Sequence, residues 1–167
     1  MQIVLPTLRE AVVLLPFVLP VAIWVAWSDM KFMKIPNAAV VAMALIWLCL
    51  GWLAVPPAQW LWGFAIMAIV LVAGFLGNLL GLFGAGDAKF AAAMSGIFAG
   101  GDLLLILSLY AACSIGALVT HRAMKHVPAM RRATPDWKSW DSRKFPMGLA
   151  LAAMPVFYLL AAFLPHG

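Results

Sequence analysis

Long apolar runs separated by short polar breaks dominate the chain. Five runs, at 11–27, 38–55, 60–82, 103–120 and 147–164, approach the roughly 20 residues a helix needs to span a bilayer. A sixth run, 88–100, is shorter. The pattern predicts an all-α, polytopic membrane protein: one membrane domain over residues 1–167, with six transmembrane helices, the fourth of them short. The first run is followed by Ser28-Asp29-Met30-Lys31 rather than by a small-residue cleavage site, so it reads as a membrane helix and not as a removable signal.

The polar breaks alternate in charge. The break at 28–37 carries Lys31 and Lys34, the break at 83–89 carries Lys89, and the segment 121–146 carries seven Lys and Arg. The breaks at 56–59 and 100–102 carry none, and Arg9 alone lies on the other side. Lys and Arg mark cytoplasmic loops. Six helices with both termini outside the cytoplasm fit this alternation, with 121–146 as a basic cytoplasmic loop. Asp29 and Asp87 then come to the same cytoplasmic membrane face, Asp29 just after the first helix and Asp87 just before the fourth.

Composition supports the membrane reading. Apolar residues make up 66% and charged residues 10%, with a mean hydropathy of +1.03. A soluble domain has about 25% charged residues, and one of this size could not bury so much apolar surface. The net charge of +5 would suggest nucleic acid in a soluble protein. Here the cations sit between apolar runs, so they are topology signals and the expected partner is the lipid bilayer, with no nucleic acid. Cys49 and Cys113 lie singly in apolar stretches and form no metal-binding spacing.

Acids are scarce. Asp136 and Asp141 lie among cations that can pair with them, Asp102 is placed to cap the fifth helix, and Glu10 suits the dipole at the start of the first. Asp87 differs. It follows Gly84-Ala85-Gly86, and glycines let a backbone turn tightly and approach closely. A helix of about 13 residues beginning at Ala88 is about 20 Å long, against a hydrocarbon core of about 30 Å. Such a helix must begin inside the membrane, which puts Asp87 on a wet cavity, where an ionisable group points to function. For Asp29 the residues alone leave two readings open: a solvated acid paired with Lys31 or Lys34, or a partner of Asp87. Two adjacent carboxylates share a proton; one can then act as base on water while the other polarises a carbonyl. Serines lack a nucleophile signature beside His121 or His126, and the spacing of those two histidines is poor for metal ligation. No metal and no cofactor are expected.

At these residues the sequence resembles the bacterial prepilin peptidases, within the G-x-G-D intramembrane aspartyl proteases. Gly84-Ala85-Gly86-Asp87 matches the G-x-G-D motif, with Lys89 two residues on. Asp29 followed by Ile35-Pro36-Asn37, and Lys144-Phe145-Pro146-Met147-Gly148 opening the last helix, look like that family's other segments. The resemblance implies removal of the short basic leader from prepilins at the cytoplasmic face of the bacterial inner membrane. Asp29 and Asp87 would be the catalytic pair, Gly84, Gly86, Lys89, Ile35, Pro36 and Asn37 would support the motif, and the pilus-assembly machinery is a further expected partner. It also supports the short fourth helix. Larger members carry an insertion with two C-x-x-C pairs and also N-methylate the processed pilin. Neither that insertion nor its C-x-x-C pairs are present here, so the chain resembles the compact form that accompanies Tad (Flp) pili, with methylation in doubt. The Pro-Ala-Leu motif of the presenilin-like branch is absent. A proton-coupled carrier or a non-catalytic assembly scaffold is the alternative. A carrier would place its acids near the midplane and often show repeats; here the acids share one face.

Overall fold

A computed structural model describes residues 4–142 and 144–164. Arg143, one of the seven cations assigned to the basic loop, lies outside the described residues. Those described are all-α. Seven helices follow in order: α1 (Leu8–Phe32), α2 (Asn37–Ala54), α3 (Pro57–Leu79), α4 (Ala85–Ser95), α5 (Leu103–Lys125), α6 (Pro128–Ala133) and α7 (Met147–Leu160). Short 3-10 turns at Gly96–Phe98 and Ala161–Phe163 prolong α4 and α7, and a third sits at Lys138–Trp140. Where water is absent the backbone must satisfy itself, and a helix does this locally.

The helix ends are set by side chains that satisfy the groups a helix leaves free. Thr7 and Glu10 form a capping box: the Glu10 amide donates to Thr7 Oγ1 at 3.2 Å and the Thr7 amide donates to Glu10 Oε1 at 3.3 Å. Asp102 caps α5 by accepting from the amides of Leu104 (2.8 Å) and Leu105 (3.2 Å). Pro57 and Pro128 open α3 and α6, where a missing N–H costs nothing. Pro36 lies one position before α2 rather than inside its first turn.

Four helices, α1, α2, α3 and α5, are long and apolar enough to cross a membrane. α3 and α5 present their apolar surfaces outward, with Ile69, Val72 and Phe75 of α3 and Leu104, Leu107 and Ile115 of α5 exposed. The shorter α4 and α7 are more enclosed. α7 packs on α1, α5 and α4, and α4 packs on α3, α2 and α7. The core runs through Leu14, Val18 and Val25 of α1, Met43 and Trp47 of α2, Phe90 and Met94 of α4, and Met154 and Leu159 of α7. Trp47 lies in a slot walled by Gly51, Gly63 and Gly96, where any side chain would collide with the indole. Small residues that admit a close neighbour are the usual means of helix packing in lipid.

Several boundaries differ from expectation, and the differences bear on the site. α1 continues through the polar Ser28–Lys31 stretch to Phe32, so Asp29 lies inside its last turn rather than after it. α3 ends at Leu79 and the chain reverses through Gly81, the one glycine with a left-handed backbone (φ +74°) among the described residues. α4 starts at Ala85, not Ala88, which puts Asp87 in its first turn. α5 runs on to Lys125, so Arg122 and Lys125 are helical, and the remaining basic segment folds into α6 and the 138–140 turn.

Candidate functional site

Asp29 reaches the site because α1 stays helical through a polar turn that its neighbours bury. Ser28 and Asp29 are both buried, at 3% and 5% exposure. The Ser28 hydroxyl donates to the Lys34 carbonyl (2.9 Å), and the Met33 amide closes the helix on the Asp29 carbonyl (2.9 Å). Met33 takes a left-handed backbone (φ +55°) to end the helix, and the chain then turns through Ile35 into α2. The Asp29 carboxylate faces the opening turn of α7. Its Oδ2 accepts the Gly148 amide at 2.7 Å, a bond between residues 119 positions apart. Gly148 is the second residue of α7, so its N–H is one of those the helix leaves free, and the helix dipole there favours a negative group.

Asp87 has the same surroundings in miniature. It is the third residue of α4, and its Oδ2 accepts the Gly84 amide at 3.2 Å. Each carboxylate therefore rests on the N-terminus of a helix. The glycines of the motif act by closeness, not by conformational freedom. Gly84 has an ordinary extended backbone (φ −70°, ψ 149°), and a Cβ there would lie 2.8 Å from Asp87 Oδ2. Gly86 admits Ile35, whose Cβ would be 3.5 Å from an added methyl. The tight turn expected at Gly84–Gly86 is made instead by Gly81.

The two acids line one polar cavity of about 310 Å³, together with Ile35, Asn37, Gly84, Gly86 and Lys89. Every supporting residue expected from the sequence lines it except Pro36, whose carbonyl accepts the amides of Ala39 and Val40 and so starts α2. The meeting does not require α1 and α4 to pack side by side. α2 and α7 each touch both helices, and the 33–36 turn carries Ile35 across to Gly86. The solvated pairing of Asp29 with Lys31 or Lys34 is not what is found. Lys31 turns away to Asp136 (2.8 Å) and lies over the Trp27 and Phe32 rings, and among the described residues Asp29 forms no ion pair. Lys34 and Lys89 remain on the cavity wall.

Residues 16–121, well over half of the chain, match the type IV leader peptidase family. The chain belongs to that family. This leader peptidase is thus an aspartic endopeptidase of the membrane, and its family membership implies prepilin substrates. No curated protein and no solved structure matches it. The matched range spans both acids of the cavity and stops before α7.

Gly148 of the leader peptidase was not among the site residues expected from the sequence. The resemblance includes its segment, but nothing in the sequence says that its amide meets Asp29. The segment is held by an aromatic stack. His121 of α5 lies parallel to Trp140 at 5.5 Å, Trp140 lies on Trp137 at 5.7 Å, and Phe145 meets His121 edge-on at 6.0 Å. The Trp140 indole also donates to the Thr134 carbonyl at 2.9 Å. The sequence pattern puts His121 at the start of a basic loop, whereas it lies near the end of α5, buried in this stack. Outside the spans, Asp136 is held below the ordinary carboxylate range by its hydrogen bond to Lys31. Asp141 pairs loosely with Arg131 at 3.4 Å. Among the described residues no three His, Cys, Asp or Glu gather as a metal site.

Proposed function

We propose that Asp29 and Asp87 are the catalytic pair with which this peptidase removes prepilin leaders at the cytoplasmic membrane face. The observation that carries the reading is that both acids line one polar cavity, each on a helix N-terminus. In this scheme one proton is shared by the pair, which titrates as a unit. The ionised carboxylate takes a proton from water as the hydroxyl oxygen bonds to the scissile carbonyl carbon. The protonated carboxyl donates to the carbonyl oxygen, giving a tetrahedral gem-diol. As the C–N bond breaks, the leaving amine takes the proton held by one carboxyl while the other, ionised carboxylate takes back a proton from a gem-diol hydroxyl, so the pair returns to its starting state with one proton. Backbone amides from Gly84 and Gly148 keep the two side chains in place without supplying a proton of their own.

The finer assignments belong to the same proposal. The chain crosses the membrane six times with both termini outside the cytoplasm, supported by the cations at 31, 34, 89 and 122–144 on one side. It works in a bacterial inner membrane as the compact form that serves Tad (Flp) pili, beside the assembly machinery. It uses no cofactor, and no residue is assigned to methyl transfer. The test is cleavage of a prepilin by the purified chain in vesicles. Asp29→Asn and Asp87→Asn should each abolish processing, with a loss on the order of 10²–10⁴ in rate. Full processing by either variant would defeat the assignment.

A further inference from the structure

The polar cavity has an apolar neighbour, and the two meet at Asp87. This second cavity has a volume of about 360 Å³, within the range of about 300–1,000 Å³ typical of sites that enclose a ligand. One wall is a single face of α4 and the turn beyond it: Asp87, Ala91, Met94, Ser95 and Phe98 recur at helical spacing. This face runs for roughly 16 Å from the carboxylate toward the opposite side of the membrane domain. Beyond Asp87 its polar groups are few, and the Ser95 hydroxyl is already spent on the Ala92 carbonyl at 2.8 Å.

The other walls come from α3, through Val70 and Ala73, from α5, through Ile106 and Leu107, and from Leu151 of α7. α3 is packed on α4, and α5 on α7. Among the described residues α3 and α5 share no comparable seam with each other. They are also the two long helices with the least buried surface. The cavity is thus open sideways, between two helices whose outer faces are apolar and exposed.

We propose that the gap between α3 and α5 is a lateral gate, and that the Asp87–Phe98 face is the track on which the substrate's apolar segment lies. This rests on the leader-peptidase reading above and deepens it. A chain whose scissile bond sits at Asp87 has the polar cavity on one side of the bond and the apolar one on the other. A substrate that changes from polar to apolar at the bond matches both. Its apolar part is already dissolved in lipid, and it reaches the carboxylates by sliding sideways between α3 and α5, without leaving the membrane. Binding along the track, remote from the bond, then contributes to holding the bond over the pair.

The test compares two substrates of the full chain in vesicles: an intact prepilin, and a short peptide that spans the bond but lacks the apolar segment. Ala91→Trp fills the track one helical turn below Asp87. It should lower cleavage of the intact prepilin by at least about tenfold while leaving the peptide within about twofold. Val72→Trp, on the outward face of α3, should change neither. Equal losses on both substrates, or no loss on either, would overturn the track. A second measurement does not depend on tolerance of the tryptophan. A photo-reactive benzoylphenylalanine at Leu107, in an Asp87→Asn background, should cross-link to the apolar segment of the prepilin. Cross-linking to lipid alone would overturn the gate. A wild-type chain that cleaves neither substrate would instead defeat the leader-peptidase reading itself.

Discussion

Replacing Gly148 by alanine probes the contact that joins the two ends of the chain at Asp29. The amide stays, so the hydrogen bond is not deleted; only a methyl is added. That methyl would lie 2.9 Å from both Asp29 Cβ and Oδ2 and 3.0 Å from Cγ. Carbon atoms prefer about 3.5–4.0 Å, so Asp29 and the start of α7 must separate by roughly 0.6–1 Å. The Asp29 backbone cannot give way, because Ser28 and Met33 tie the last turn of α1 to the 33–34 turn. The carboxylate therefore rotates off its amide, or α7 lifts. Overpacking of this kind costs about 1–3 kcal/mol, and a 1 Å error in a reacting group costs on the order of 10²-fold in rate. Gly148→Ala should accordingly accumulate in the membrane but process prepilin about 10–100 times more slowly. Gly116→Ala is the matched control, since a methyl there meets nothing within 4 Å. Initial rates in vesicles at equal protein give the comparison. Wild-type processing by Gly148→Ala would refute the claim that this contact positions Asp29.

The remaining predictions concern the surroundings of the pair. Gly86→Ala should process prepilin within about threefold of wild type, because its methyl makes an ordinary 3.5 Å contact with Ile35, whereas Gly86→Leu should lose activity by overpacking; the same rate assay separates them. Trp140→Ala removes the keystone of the stack over His121, a change of the class that costs about 3–5 kcal/mol. It should speed amide exchange in residues 137–148 and slow cleavage, and unchanged exchange would show that the stack does not hold the segment. Asp136→Asn should cleave within about twofold at neutral pH, since exposed ion pairs contribute little. The lowered pKa of Asp136 means that its tie to Lys31 is present above the ordinary carboxylate range and is lost as pH falls through the lowered value. Protection of residues 134–142, taken relative to the intrinsic exchange rate at each pH, should therefore fall in acid for the wild type and be already lowered at neutral pH in the variant.

Much of this was legible along the chain. All six apolar runs became helices among the described residues, and Asp29 and Asp87, which the alternation of cations puts on one face, line one cavity. The misplaced end of α1 has a clear cause. Hydropathy ends a helix at the first polar residues, but Ser28 and Asp29 are polar residues that α2 and α7 bury, so α1 continues through them. The glycine motif suggests a tight turn, but the reversal belongs to Gly81, while Gly84 and Gly86 make room for an oxygen and for Ile35. The Gly148 amide could not be read at all, because its role exists only once α7 has packed on α1.

The central claim is that Asp29 and Asp87 act as one unit on one water, and a double-mutant cycle tests it most directly. Prepilin cleavage is measured for Asp29→Asn, Asp87→Asn and the double variant in the same vesicles. Groups that act together are grossly non-additive, so each single variant should fall by on the order of 10²–10⁴ and the double variant should be no slower than either. Substantial processing by one single variant, or losses that multiply in the double, would contradict the account.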